Sequence, residues 1–287
     1  MSDARNTASA APKQPRQALD WILRPVFGVL LAAASVAGAY AGGIWFAVLI
    51  AVAVAAAARE WHRMFARAGY VPYMAITILT VTLALAAVSG AFPAFSTFPW
   101  VVLMAGTIGN YALASLRRTE PVWQAFGVLY LGISAVTMVM LRMKAPEAFW
   151  LVVTLFAAVW ATDTGALVFG NLIGGPKLAP VLSPNKTWAG LFGGIACAAV
   201  TAAVIVSLLR GDVVRGAIFG IAVAFVAHAG DLFESWVKRR VGRKNSGSLI
   251  PGHGGVLDRI DSIILATPVC ALFVLVLGLN PLLGVNP

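Results

Sequence analysis

The sequence predicts an all-α, polytopic integral membrane protein. Three observations carry that prediction. Of its 287 residues, 60% are hydrophobic and only 11% charged, where a soluble globular chain is roughly a quarter charged. The apolar residues gather into runs close to the length of about 20 residues that a bilayer-spanning helix needs. The basic residues lie in the short segments between those runs, heavily biased toward alternate ones.

The runs fall at 26–41, 43–58, 72–90, 98–116, 122–142, 147–171, 187–209, 214–236 and 260–284, about nine transmembrane helices. The first two are short and separated only by Gly42 and Gly43, so they read either as one long run or as a tight helical hairpin. Residues 1–20 are rich in Ala, Ser, Pro and charge, and are expected to form a disordered cytoplasmic tail. No cleavage site follows the first run, so a removable signal peptide is not expected. Residues 21–150 then form a set of N-terminal transmembrane helices with arginines at their edges. Residues 151–287 form the region where chemistry would sit, with cytoplasmic loops that hold nearly all the unusual polar groups.

Orientation follows from the basic residues. With the N-terminus in the cytoplasm, all 21 Lys and Arg fall inside except Arg142, Lys144, Arg210 and Arg215. That imbalance is a strong positive-inside signal, and it leaves the uncharged C-terminus outside. The net charge of +10 is then accounted for by topology and by contact with anionic lipid and phosphate. Nucleic acid is not an expected partner. Cys197 and Cys270 both lie in apolar runs without a CxxC pair, which argues against a disulfide framework or a zinc site.

Five acidic residues stand at or near cytoplasmic helix ends: Asp163, Asp231, Glu234, Asp258 and Asp261. An ionisable group at membrane depth is costly, and is by default a functional candidate. Asp231 and Glu234 are three apart and project from one helix face, and Asp258 and Asp261 repeat the spacing. Converging carboxylates repel unless a cation separates them, and hard oxygen ligands suit Mg²⁺ with substrate phosphates. The competing reading pairs them with Lys238, Arg239 and Arg259 in salt bridges. Between the acid pairs runs SGSLIPGHGG, residues 246–255. Gly252, Gly254 and Gly255 would let backbone amides approach an anion at a helix start, and His253 would donate to a phosphate. The bland alternative is a flexible turn. The loop 176–190 gathers Ser183, Asn185, Lys186 and Thr187 before an apolar helix, as phosphate donors or as helix caps. Asp163 lies in WATDTGALVFG, as a polar site or as a hydrogen-bonding partner for a neighbouring helix. His228 is expected to be a satisfied helix–helix histidine.

The stretch Ser235 to Asp261, SWVKRRVGRKNSGSLIPGHGGVLDRID, closely resembles the signature of the CDP-diacylglycerol synthase (phosphatidate cytidylyltransferase) family. Ser235, Lys238, Arg239, Lys244, Pro251, His253, Gly254, Gly255, Asp258, Arg259 and Asp261 match it. GDLFE at 230–234, SPNKT at 183–187 and DTGA at 163–166 are similar to further family elements. N-terminal to these, only Glu60–Trp61 adds to hydropathy. Two positions depart from the pattern: Asn245 replaces an Asp, and Ala189 replaces a Glu.

The resemblance implies the reaction of CTP with phosphatidic acid to give CDP-diacylglycerol and pyrophosphate. It implies catalytic roles for Asp231, Asp258, Lys238, Arg239 and His253. Substrate would be bound by Ser183, Asn185, Lys186, Thr187, Lys244, Gly254, Gly255, Arg259 and Asp163. Mg²⁺ would be held by Asp231 and Asp258, with Glu234 and Asp261 as further ligands or orienters, and a second, monovalent cation such as K⁺ could assist. A homodimer in a bacterial inner membrane, its site facing the cytoplasm, completes the expectation. A transporter, a related CTP-using lipid enzyme and a non-catalytic membrane scaffold are the alternatives. Against the transporter, the polar groups cluster at one membrane edge and leave no polar path across.

Overall fold

The computed structural model describes residues 16–66, 69–90, 97–145, 147–247, 249 and 254–282, with side chains from residue 26 onward except 27. The chain runs as α1 (Arg16–Ala41), α2 (Gly43–Ala66), α3 (Val71–Val88), α4 (Phe98–Leu116), α5 (Pro121–Lys144) and α6 (Ala148–Leu172). A small antiparallel hairpin follows, β1 (Lys177–Ala179) and β2 (Ser183–Thr187), pairing Lys177 with Thr187 and Ala179 with Ser183. Then come α7 (Trp188–Leu208), α8 (Val213–Arg240) and α9 (Leu257–Ala271), which continues as a π-helical turn, Leu272–Val276. The segment 176–190, read as a loop, thus contains the hairpin.

Among the described residues, eight helices are long and apolar enough to cross a membrane, α2 through α8 and Leu257–Val276. The protein is an all-α polytopic membrane protein. α1 starts at Arg16, inside the segment expected to be a tail. The rest of that tail lies outside the described residues. Gly42 (φ +63°) and Gly43 (φ +47°) separate α1 from α2. Only glycine adopts two such successive angles at little cost, and they decide for the helical hairpin. The last span sits further N-terminal than the run 260–284, because Gly278 at φ +67° ends the helix shortly before Pro281.

Most spans carry apolar residues all round, as membrane helices do, and their exposed leucines, valines and isoleucines form the lipid-facing surface. α5 is largely buried at the centre. In lipid there is little hydrophobic drive between helices, so close packing relies on small residues. A side chain at Gly190 would meet the Ala166 carbonyl oxygen, and one at Gly194 that of Thr162, so α7 lies directly on α6. Gly220 meets Ala198 in the same way, and Gly230 of α8 meets the Asp261 carbonyl of α9. These contacts hold α6 to α9 in one tight group. The two halves join through an aromatic cluster that includes Trp61 of α2, Trp123 and Tyr130 of α5, and Phe233 and Trp236 of α8. The Arg240 guanidinium lies 5.3 Å from the Trp123 ring centre.

Candidate active site

The C-terminal ends of α6 and α8, the N-terminal ends of α7 and α9, and the hairpin surround a cavity of about 690 Å³. Asp163, Asp231, Asp258 and Asp261 line it together with Lys186, Lys238 and Arg259. Asn171, Lys177, Asn185, Thr187, His228, Asn245 and Ser262 complete its polar wall. Five segments separated by up to a hundred positions in sequence therefore supply one site.

Lysines pair with three of the acids, while Glu234 and Asp261 meet each other directly through their side chains. Lys186 pairs with Asp231 at 2.5 Å, linking the hairpin to α8. Lys238 lies 2.7 Å from Asp258 and 3.5 Å from Glu234. Glu234 is fully buried, makes this ion pair and lies behind the cavity rather than on its wall. Desolvating three charges is expensive unless their mutual geometry compensates, and Lys238 supplies the compensation here. Of the expected salt bridges, those to Lys238 are present, whereas Arg239 bonds a carbonyl; Asp163, Asp231, Asp258 and Asp261 also line the cavity.

Asp258 does more than pair with Lys238. Its carboxylate accepts from the backbone N–H of Ser246 at 3.1 Å and of Gly255 at 2.9 Å. It therefore ties the two ends of the segment 246–255 to the start of α9. Gly254 sits at φ +83°, where a side chain would also strike the Asp258 carboxylate. The expectation that the Gly255 amide and the α9 start would greet an incoming phosphate needs correcting. Gly255 N–H is bonded to Asp258, and the Val256 and Leu257 amides are bonded to Glu60. The anion at this helix start is the protein's own.

The remaining expected residues separate clearly. Thr187 borders the cavity and caps α7, its Oγ1 accepting from Gly190 N–H at 3.1 Å. Arg239 is not on the cavity wall; its Nε donates to the Leu182 carbonyl at 3.5 Å and braces the hairpin. Ser183 is a β2 residue and Lys244 is exposed, and neither lines the cavity. His253 and Pro251 lie outside the described residues. His228 is buried against Gly194 of α7 and borders the cavity. Sequence reasoning missed the placement of Glu60, because nothing local ties α2 to residues near 250. A charge at the end of an otherwise apolar helix was the available signal.

Among the described residues, no three acidic, histidine or cysteine side chains are grouped to hold a metal by themselves. Mg²⁺ does not demand such a cage; it takes one or two carboxylates with water and substrate phosphates. The donor set fits a Mg²⁺ that shares its ligands with a bound nucleotide. Asp258, committed to Lys238 and two amides, is the least free of the expected ligands. Asp231 and Asp261 both face the cavity.

Taken together, the fold and the site define a polytopic helical membrane protein with a polar cavity, walled by acids and lysines, at one end of its bundle. The model of the cytidylyltransferase family matches residues 22–277, and the chain belongs to that family. The phosphatidate cytidylyltransferase of Brucella suis biovar 1 is 46% identical over 152 residues, which is 53% of this chain and 56% of that relative. The phosphatidate cytidylyltransferase of Rickettsia bellii is 43% identical over 129 residues, 42% of this chain and 55% of the relative. That of Staphylococcus epidermidis is 37% identical over 173 residues, 58% of this chain and 65% of the relative. The chain thus spans somewhat more than half the length of the curated relatives it matches.

Proposed function

We propose that the protein is a phosphatidate cytidylyltransferase. The observation that carries this reading is the cavity in which four aspartates face Lys186, Lys238 and Arg259 at one end of a membrane-embedded bundle. The names of the relatives supply the substrates. In the proposed reaction an anionic oxygen of the lipid phosphate attacks the α-phosphorus of CTP. The bond to the oxygen bridging α- and β-phosphorus breaks, and pyrophosphate leaves. The nucleophile is already ionised, so no strong general base is required. Catalysis reduces to positioning two anions in line and neutralising charge as it develops.

Lys177, Lys186 and Arg259 all line the cavity and are the cations proposed to receive phosphate groups, Lys186 by exchanging Asp231 for the ligand. Lys238 holds Asp258 and Glu234 in place while lining the same wall. Asp231 and Asp261 would hold Mg²⁺ together with nucleotide phosphates. That ion would supply charge neutralisation on the transferred phosphate. A soluble nucleotide and a membrane lipid meet most simply where a cavity opens at the membrane edge. The Lys and Arg count favours the cytoplasmic side for that edge, because Arg142 lies at the opposite end, bonded to the α1 carbonyl of Ala39. The inner membrane of a bacterium and a homodimer remain part of the proposal.

The decisive experiment measures CDP-lipid formation from labelled CTP and phosphatidic acid in detergent micelles, with and without Mg²⁺. Mg²⁺-dependent product is expected from the wild type, with at least a hundredfold loss in Asp231→Asn. A folded wild type inert toward phosphatidic acid and toward other phospholipid acceptors would refute the reading.

A further inference from the structure

The cavity walls come entirely from α6 onward, yet one residue of α2 reaches the same region. Glu60 is 1% exposed. Its carboxylate accepts from Ser246 Oγ at 3.0 Å, Val256 N–H at 3.0 Å and Leu257 N–H at 2.9 Å, from residues 186 to 197 positions later in the chain. Val256 is the N-cap position of α9 and makes no side-chain capping bond of its own. The first amides of a helix need acceptors and favour negative charge. α9 therefore obtains its cap from another helix. The local sequence is shaped to admit that carboxylate. A side chain at Gly247 would run into Glu60, and one at Gly255 into Glu60 and Ser246.

The cap is coupled to the cavity through shared groups. Ser246 gives its hydroxyl to Glu60 and its N–H to Asp258. Asp258 in turn holds Lys238. Moving Glu60 would release Ser246 and the start of α9, and with them the Lys238–Asp258 pair. We propose that Glu60 is a positioning residue, a cap supplied by the N-terminal half that fixes the start of α9 and thereby the Lys238–Asp258 pair in the cavity. The proposal rests on the phosphatidate cytidylyltransferase reading for its kinetic consequences but not for its structural ones.

The test compares full-length wild type, Glu60→Gln, Glu60→Ala, Gly247→Ala and the Glu60→Ala/Gly247→Ala double variant in micelles. Two quantities are read: kcat and KM for CTP and for lipid, and hydrogen exchange at the Val256 and Leu257 amides. Glu60→Ala is expected to lower kcat/KM for CTP about 100-fold, the scale of a 1 Å misplacement, with lipid KM unchanged and exchange at both amides accelerated. Glu60→Gln keeps one acceptor oxygen and is expected to recover about tenfold of that loss. Gly247→Ala is expected to impair the wild type but to add nothing to Glu60→Ala, because the atoms nearest to its new methyl all belong to Glu60. Unchanged exchange in Glu60→Ala, or full multiplication of the two single losses in the double variant, would overturn the proposal. If the wild type makes no CDP-lipid, the reaction is refuted separately, and the exchange data still judge the cap.

Discussion

The two halves of this molecule handle buried polarity in opposite ways. In the N-terminal half, polar side chains are turned inward upon one another. His62 bonds Gln124 at 2.5 Å and Thr77 at 2.8 Å, and Asn110 donates to Thr77 at 3.1 Å and to the Tyr73 carbonyl at 3.2 Å. All four side chains are fully buried, and none of them lines the large cavity. In the C-terminal half, Asp163, Asp231, Asp261, Lys186 and Arg259 face a cavity of about 690 Å³. Polar groups at membrane depth are expensive in both places. A network closed on itself gives packing specificity, even though Asn110 Oδ1 and Gln124 Nε2 have no hydrogen-bond partner among the described residues; a set that opens onto space is available to a ligand. Glu60 crosses between the two, physically in the first half and functionally in the second.

The largest effect expected from breaking this contrast is at Lys238. Replacing it by Met leaves Asp258 and the fully buried Glu234 without their shared cation. Removing one member of a buried ionic group costs about 3–5 kcal/mol, so thermal unfolding in detergent should show a large loss, together with loss of CDP-lipid formation. Lys186→Met sharpens the point within the same cavity. Its partner Asp231 is one-third exposed, at 32% of its side chain. Lys186 itself is 20% exposed with its Nζ buried, so the pair lies between a surface bridge and the buried Lys238 group; Lys186→Met should lose activity with a smaller stability loss than Lys238→Met. Equal stability losses in the two variants would show that the lysines are not doing different jobs.

A smaller and opposite effect is expected in the N-terminal half. His62→Ala leaves the Gln124 side-chain oxygen without its partner, at a cost of about 1–3 kcal/mol. Activity per folded molecule should stay at the wild-type level, measured as CDP-lipid formed by the detergent-extracted, monodisperse fraction. A loss of kcat without loss of stability would mean that the His62 network communicates with the cavity, and the division between halves would fail.

This division explains what the amino-acid sequence disclosed and what it did not. The spans were legible because each is a local apolar run, and α3 and α4 match their expected ranges closely. The cavity acids were legible because a carboxylate in an apolar setting stands out on its own, as at Asp163 and Asp231. Contacts between distant segments were not. Nothing near Val256 and Leu257 reveals that Glu60 caps α9 from α2. The hairpin at 177–187 was missed for a related reason: three- and five-residue strands carry too little pattern to register beside 20-residue helices. At the α9 start the Leu257 amide is taken by Glu60, some 197 positions earlier in the chain, a pairing that no local pattern shows.

The smallest effect tests the seam between the halves. Arg240, at the end of α8, lies over Trp123 of α5, and Trp123 also contacts Trp236, one turn before Arg240, at a centroid distance of 5.7 Å. A cation over an indole at an exposed site contributes about 0.5–1 kcal/mol. Arg240→Gln should therefore lower stability by no more than that and leave kcat for CDP-lipid formation unchanged. The aromatic rings, rather than the cation, would then be what joins the halves. A loss of several kcal/mol in thermal or denaturant unfolding would instead identify Arg240 as the main tie between α5 and α8. In that case Trp123→Leu, which removes the ring but leaves the cation, should produce a loss of the same size.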